Sequence, residues 1–154
     1  MVGVKTVAIT GGKGGVGKST VAILLASKLR KEGKRVVLAD GDVECPNDYL
    51  LLNQELDKPI KKVTTQFPKL IKEKCQKCGL CVDKCRSKAI FQAPGQYPIF
   101  LEALCSGCGL CWHLCPHQAI SIKKKVIGEI FQNKIADNFY LVTGRSVGVV
   151  EESG

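Results

Sequence analysis

Eight of the nine cysteines in this 154-residue chain fall into two runs whose spacing suits iron–sulfur chemistry. Cys75, Cys78, Cys81 and Cys85 form the first, and Cys105, Cys108, Cys111 and Cys115, followed by Pro116, form the second. Each reads C-x2-C-x2-C-x3-C, the spacing in which three close thiolates curl around one cubane cluster and the fourth reaches a second cluster. Crossed in this way, Cys75, Cys78, Cys81 and Cys115 hold one 4Fe–4S centre, and Cys105, Cys108, Cys111 and Cys85 hold the other. Zinc would call for paired C-x2-C halves with four ligands per ion, and disulfides for an oxidising compartment. The two histidines, His113 and His117, flank Cys115 and read as surface residues or neighbours of a ligand rather than ligands.

The segments beginning at Cys75 and Cys105 are copies: CQKCGLCVDKCRSKAI and CSGCGLCWHLCPHQAI agree at 8 of 16 positions, including Gly-Leu and the closing Ala-Ile. A duplicated cluster-binding half resembles a two-cluster ferredoxin of the bacterial type. Arg86 departs from that pattern, standing where Pro116 stands in the second copy. The departure bears on the local turn and on the potential of one cluster, and it removes no ligand.

A second chemistry sits at the amino end. Gly11–Thr20 reads GGKGGVGKST, and Gly12, Gly17, Lys18 and Ser19 match the phosphate loop G-x4-G-K-[ST]. Glycines let backbone amides turn inward against phosphate oxygens. The expected nucleotide contacts are Gly12, Lys13, Gly14, Gly15, Val16, Gly17, Lys18, Ser19 and Thr20. Lys18 would reach the β- and γ-phosphates and Ser19 would ligate Mg²⁺ of ATP or ADP. A glycine-rich turn without a ligand is the plainer alternative.

The loop needs a strand before it and a helix after it. Val4–Thr10 (VKTVAIT) reads as a strand buried on both faces. Lys18–Glu32 reads as a helix with Val21, Leu24, Leu25 and Leu29 on its packed stripe, stopped by Gly33. Arg35–Asp42 (RVVLADGD) reads as a second buried strand, completing a right-handed βαβ unit. The strand's carboxyl end brings Asp40 and Asp42 beside the phosphate loop, unless they only cap the following turn. Phe139–Thr143 and Val147–Val150 read as later strands.

Composition limits the partners. The formal charge is +9, but eight thiolates on two oxidised cores would lower it by about 4. The lysines near 61–62, 69–77 and 123–125 are not interleaved with aromatic residues, so no base-stacking platform for nucleic acid is expected. They form a solvated surface or a docking face for an acidic redox partner. No segment has the length and character of a membrane anchor, and residues 1–30 do not read as a signal peptide. Nine cysteines without a secretion signal point to metal ligation in a reducing, cytoplasmic setting. The ninth, Cys45, is expected to be a free, partly buried thiol.

Lys13 together with the DGDVECPN segment from Asp40 to Asn47 resembles the deviant Walker A ATPases of the MinD/ParA superfamily, in the branch carrying an inserted two-cluster ferredoxin domain. The resemblance implies an α/β fold: a partial P-loop parallel sheet with an inserted α+β ferredoxin domain. Its parts would be residues 1–60 for nucleotide, 61–125 for the ferredoxin insert, and 126–154 returning to the nucleotide part. It further implies a homodimer in which Lys13 reaches the partner's ATP, while Asp42 positions the attacking water and Lys18 contacts phosphate as the third catalytic residue. No later strand ends in a second switch aspartate, and Asp137 is a poor substitute. The chain therefore reads as the front part of such an ATPase, with another segment or chain supplying the rest. Its expected role is to couple nucleotide state to electron transfer or metallocluster handling. A plain two-cluster ferredoxin with a vestigial loop is the alternative.

Overall fold

The computed structural model describes residues 3–151, with side chains to residue 148. The chain divides into two compact units, residues 1–61 with 129–146, and residues 62–128 with 147–154.

In the first unit, helix α1 (Lys18–Lys31) packs on strand β1 (Val36–Asp40). Gly33, at φ 76°, ends the helix; its N–H and that of Lys34 return to the carbonyls of Arg30 and Leu29. Only glycine enters that left-handed region without strain. A one-turn helix, α2 (Asp48–Leu51), follows β1. β1 pairs in parallel with strand β6 (Phe139–Glu151), with Leu38 opposite Leu141 and Asp40 opposite Thr143. β6 follows strand β5 (Ile120–Ala136) after a two-residue turn, Asp137–Asn138, where Asn138 takes φ 60°. The buried centre of this unit is Phe131, Phe139, Leu141 and Ala26. The Arg145 guanidinium lies 4.8 Å from the Phe131 ring centroid and pairs with Glu129 at 2.8 Å.

Several expectations fail here. Val4–Thr10 forms no strand, and Val4 and Val7 are 95% and 66% exposed. A β-branched run gains its ladder bonds only from a neighbouring strand, and β6 is the parallel neighbour β1 takes. The βαβ unit is thus present only as its helix and second strand. That strand is shorter than expected and alternates in burial, with Val37 61% exposed. On α1 the packed face carries Ala26, while Val21 and Leu24 point outward. The helix is apolar around most of its girth, so its sequence left open which face would pack. Asp137, a poor substitute for a switch residue by sequence, sits in the hairpin turn paired with Lys134. The two expected late strands are one, β6.

The second unit holds both cysteine runs. Strand β2 (Lys61–Leu70) lies beside the first part of β5, and the Ile71 N–H reaches the Ala119 carbonyl. Each cysteine run threads a one-turn 3-10 helix (Lys72–Lys74 or Glu102–Leu104) and then a one-turn α-helix, α3 (Leu80–Asp83) or α4 (Leu110–His113). A two-stranded antiparallel ribbon, β3 (Ile90–Phe91) with β4 (Ile99–Phe100), lies between the copies. The apolar centre is Phe67, Val126 and the repeated Ala89-Ile90 and Ala119-Ile120. The duplication extends to the backbone: Gly79 and Gly109 both cap their helices with positive φ, and Lys88 and Gln118 both take positive φ two residues before the strand that follows, β3 or β5.

Glu102 ties this unit together, pairing with Lys123 at 2.6 Å and with the buried Lys125. Those lysines hold its carboxyl below the ordinary glutamate range. A carboxylate with a lowered folded-state pKa stabilises the fold above its unfolded value and stops doing so as pH falls through the folded value. Glu102→Gln should therefore cost about 1–3 kcal/mol at neutral pH and flatten the loss of stability on acidification below about pH 4.3. Denaturant melts of wild type and variant across pH 3–7 check both.

Candidate functional site

The eight run cysteines converge on two cavities within the second unit. Cys75, Cys78, Cys81 and Cys115 line the first, together with Leu80 and His117, around about 360 Å3 of space partly open to solvent. Cys85, Cys105, Cys108 and Cys111 line the other, together with Pro68 and Trp112, around about 340 Å3 of space likewise partly open to solvent. Each cavity therefore receives three sulfurs of one run and the fourth of the other. The exchange follows from the one-turn helices: α3 and α4 pack against each other and carry the fourth cysteine of each run away from its own triple. All nine cysteines, Cys45 included, are free, and Cys45 is exposed rather than partly buried. Among the described residues, no three His, Cys, Asp or Glu side chains are grouped so as to hold a metal ion.

The sulfurs meet matched polar surroundings. The Ala89 N–H donates to Cys85 Sγ and the Ala119 N–H to Cys115 Sγ, both at 3.3 Å. Burial pushes the Cys111 thiol up to about 11 and raises Cys81, and the two lie close enough for the Cys81 charge to act on Cys111. Cys108 moves the other way, lowered chiefly by the N–H of Leu110 and also by Ser106 and Arg86. Arg86, the departure from the repeat, thus lies on the electrostatic side of the second cavity. Removing the proton from a buried thiol is unfavourable unless a cation replaces it.

The copies differ at one telling position. Lys77 and Gly107 are equivalent, and both take positive φ, 55° and 68°. Gly107 has no room for a side chain, since a Cβ there would lie 2.7 Å from Thr65 Oγ1 and 3.0 Å from the Gln66 carbonyl. β2 therefore closes over the second cysteine loop. Lys77 instead extends beside the first cavity, its ammonium 4.5 Å from the Tyr97 ring centroid, with Lys72 on the same ring at 5.9 Å. Gln92 holds this loop by donating to the carbonyls of Lys77 and Gln96. Tyr97, Gln92 and Thr65 escaped the sequence reading; the Lys–Gly mismatch between copies was the available signal.

In the first unit, the phosphate loop runs through Gly15 and Gly17, both at positive φ, into α1. Gly17 is the cap residue, and its carbonyl accepts the Val21 N–H. Lys18 Nζ turns back to donate to the Lys13 carbonyl at 3.1 Å. Ser19 Oγ donates to Asn47 Oδ1 at 3.3 Å, which ties the DGDVECPN loop to the start of the helix. Asp40 organises that loop: one oxygen accepts the Asp42 N–H, the other those of Asn47 and Asp48. Asp42 Oδ1 accepts the Cys45 N–H at 3.3 Å. Both aspartates thus perform the turn-capping role that was the plainer of the two expectations. Asn47 belongs to the DGDVECPN segment, and its contact with Ser19 is one that the motif alone does not assign. Lys13 and Gly12–Gly15 are exposed.

The family described as the CobQ/CobB/MinD/ParA nucleotide binding domain matches residues 7–146 of this chain. An uncharacterised protein of Methanocaldococcus jannaschii is 40% identical over 84 residues, 54% of this chain and 30% of that protein. An iron-sulfur cluster carrier protein of the same organism is 34% identical over 90 residues, 57% of this chain and 31% of its own length. One from Deinococcus radiodurans is 53% identical over 53 residues, covering 34% and 15%. The chain spans less than a third of the length of these relatives. No helix among the described residues is long and apolar enough to cross a membrane.

The Lys77–Gly107 difference has a measurable consequence. Gly107→Ala should destabilise the chain by about 1–3 kcal/mol through the strained backbone and the clash with β2. Lys77→Gly should change stability by less than about 1 kcal/mol, because relief of the left-handed conformation offsets the lost ring contact. Thermal melts of the two variants beside wild type decide this.

Proposed function

Because this chain belongs to the CobQ/CobB/MinD/ParA family of nucleotide-binding domains, we propose that it is an ATP-binding iron–sulfur protein in which nucleotide state is coupled to metallocluster handling or electron transfer. The observation that carries the iron–sulfur half is the crossed lining of the two cavities, four sulfurs to each. The donor set fits a 4Fe–4S cluster. Each cavity is lined by four cysteines and brings a backbone N–H to the crossing sulfur. Bound clusters supply one-electron redox chemistry, and all eight thiolates are engaged in holding them. Named relatives that carry iron–sulfur clusters support the handling role.

On this reading the loop Gly12–Thr20 binds ATP or ADP, with Lys18 leaving the Lys13 carbonyl for the phosphates and Ser19 leaving Asn47 for Mg²⁺. Lys13 acts across a homodimer, and Asp42 orients water once freed from the Cys45 amide. An acidic redox partner would meet Lys72, Lys74 and Lys77 beside the first cavity. One observation favours the plainer reading of a two-cluster electron carrier: Val4–Thr10 forms no strand, so the phosphate loop lacks the support expected before it. Titrating the cluster midpoint potential with MgATP separates the two, since coupling shifts it and a plain carrier leaves it unchanged.

Anaerobically reconstituted protein should contain about eight iron atoms per chain. Cys85→Ser should disturb the centre held by the second run's triple, and Cys115→Ser the centre held by the first. Electron paramagnetic resonance of the reduced variants would show the opposite pattern if ligation were not crossed. Lys18→Ala should weaken MgADP binding at least tenfold, given about 1.5–3 kcal/mol for hydrogen bonds to charged groups. Calorimetric titration giving unchanged affinity would remove the loop from the site.

A further inference from the structure

Resting on the nucleotide reading above, we propose that the carboxylate of Asp48 is a ligand of the divalent cation that accompanies the bound phosphates, beside Ser19. Asp48 opens α2 and is 4% exposed. Its Oδ1 is buried and has no hydrogen-bond partner. A buried carboxylate oxygen without a donor is costly, and proteins keep such groups where a cation or proton satisfies them.

The neighbours define the ligand it awaits. Asp40 has both oxygens engaged by the amides of Asp42, Asn47 and Asp48, so it organises the loop rather than offering a free oxygen. The same bonds pin the first turn of α2, which leaves the Asp48 side chain little choice of position. Ser19 acts on Asp48 directly: burial raises the Asp48 carboxyl above the ordinary aspartate range, the Ser19 hydroxyl lowers it, and the Asp40 charge raises it. Ser19 also bonds Asn47, the residue preceding Asp48. A hydroxyl, an amide oxygen and a buried carboxylate oxygen are hard donors of the kind Mg²⁺ and Mn²⁺ take alongside phosphate oxygens. Asp48 lies outside the phosphate-loop motif and outside the DGDVECPN segment, so neither motif assigned it a role.

The test uses the reconstituted full chain with ADP and Mn²⁺ as the probe. Asp48→Asn keeps the shape of the side chain and removes a buried, unpaired charge, so the nucleotide-free variant should melt no lower than wild type. Asp48→Ser serves as the second variant if the first folds poorly. Mn²⁺ binding in the presence of ADP, followed by electron paramagnetic resonance, should weaken about 10–100-fold. ADP affinity measured in chelator should be unchanged. Wild-type Mn²⁺ affinity in both variants would overturn the assignment of Asp48 while leaving the nucleotide site standing. Failure of wild type to bind ADP, with or without Mn²⁺, would overturn the nucleotide reading and this proposal with it.

Discussion

The second unit is organised by the need to hold eight sulfur atoms around two spaces in a stretch of chain too short to build a large apolar core. Its buried hydrophobic residues are few, chiefly Phe67, Val126 and the two Ala-Ile pairs. Small domains of this kind depend on covalent or metal staples, because they bury too little surface to offset chain entropy. The crossing of the fourth cysteines makes each proposed cluster a link between the two copies. Losing one centre would therefore loosen both halves, whereas uncrossed ligation would confine the damage to one.

Within that frame, small differences between the copies carry functional weight. β2 passes so close to Gly107 that the second cysteine loop is covered by backbone, while Lys77 opens the first toward solvent and charge. On the second side the Leu110 N–H is the chief group lowering Cys108, and Arg86 adds a smaller positive contribution. Two cavities with equivalent cysteine sets thus sit in unlike fields, and hydrogen bonding, charge and exposure are the means by which a protein separates the potentials of bound clusters. The first unit uses a different device. One carboxylate, Asp40, draws three backbone amides together and so holds the loop that meets Ser19.

The first unit also leaves much apolar surface exposed, on Val4 and Val7, on the outer face of α1, and at Val37 of β1. A parallel sheet of this class is ordinarily covered on both faces. Here those side chains face solvent, and the phosphate loop has no strand before it to brace it.

Spacing alone marked out the two cysteine runs, which line two cavities crosswise, and the glycine loop with its helix, because tight turns and positive φ leave few residue choices. Gly17, Gly33, Gly79 and Gly109 all stand where the chain must enter the left-handed region. Tertiary structure decided what local pattern leaves open. Whether Val4–Thr10 becomes a strand depends on a neighbour it cannot supply itself. Which face of α1 packs depends on the sheet beneath it, since the helix is apolar on more than one side. The burial of Asp48, the contact of Ser19 with Asn47 and the closure of β2 over Gly107 join residues 28 to 42 positions apart or pack them against distant chain. No period or motif in a single sequence encodes such pairings, because they arise only when separate elements compete for the same space.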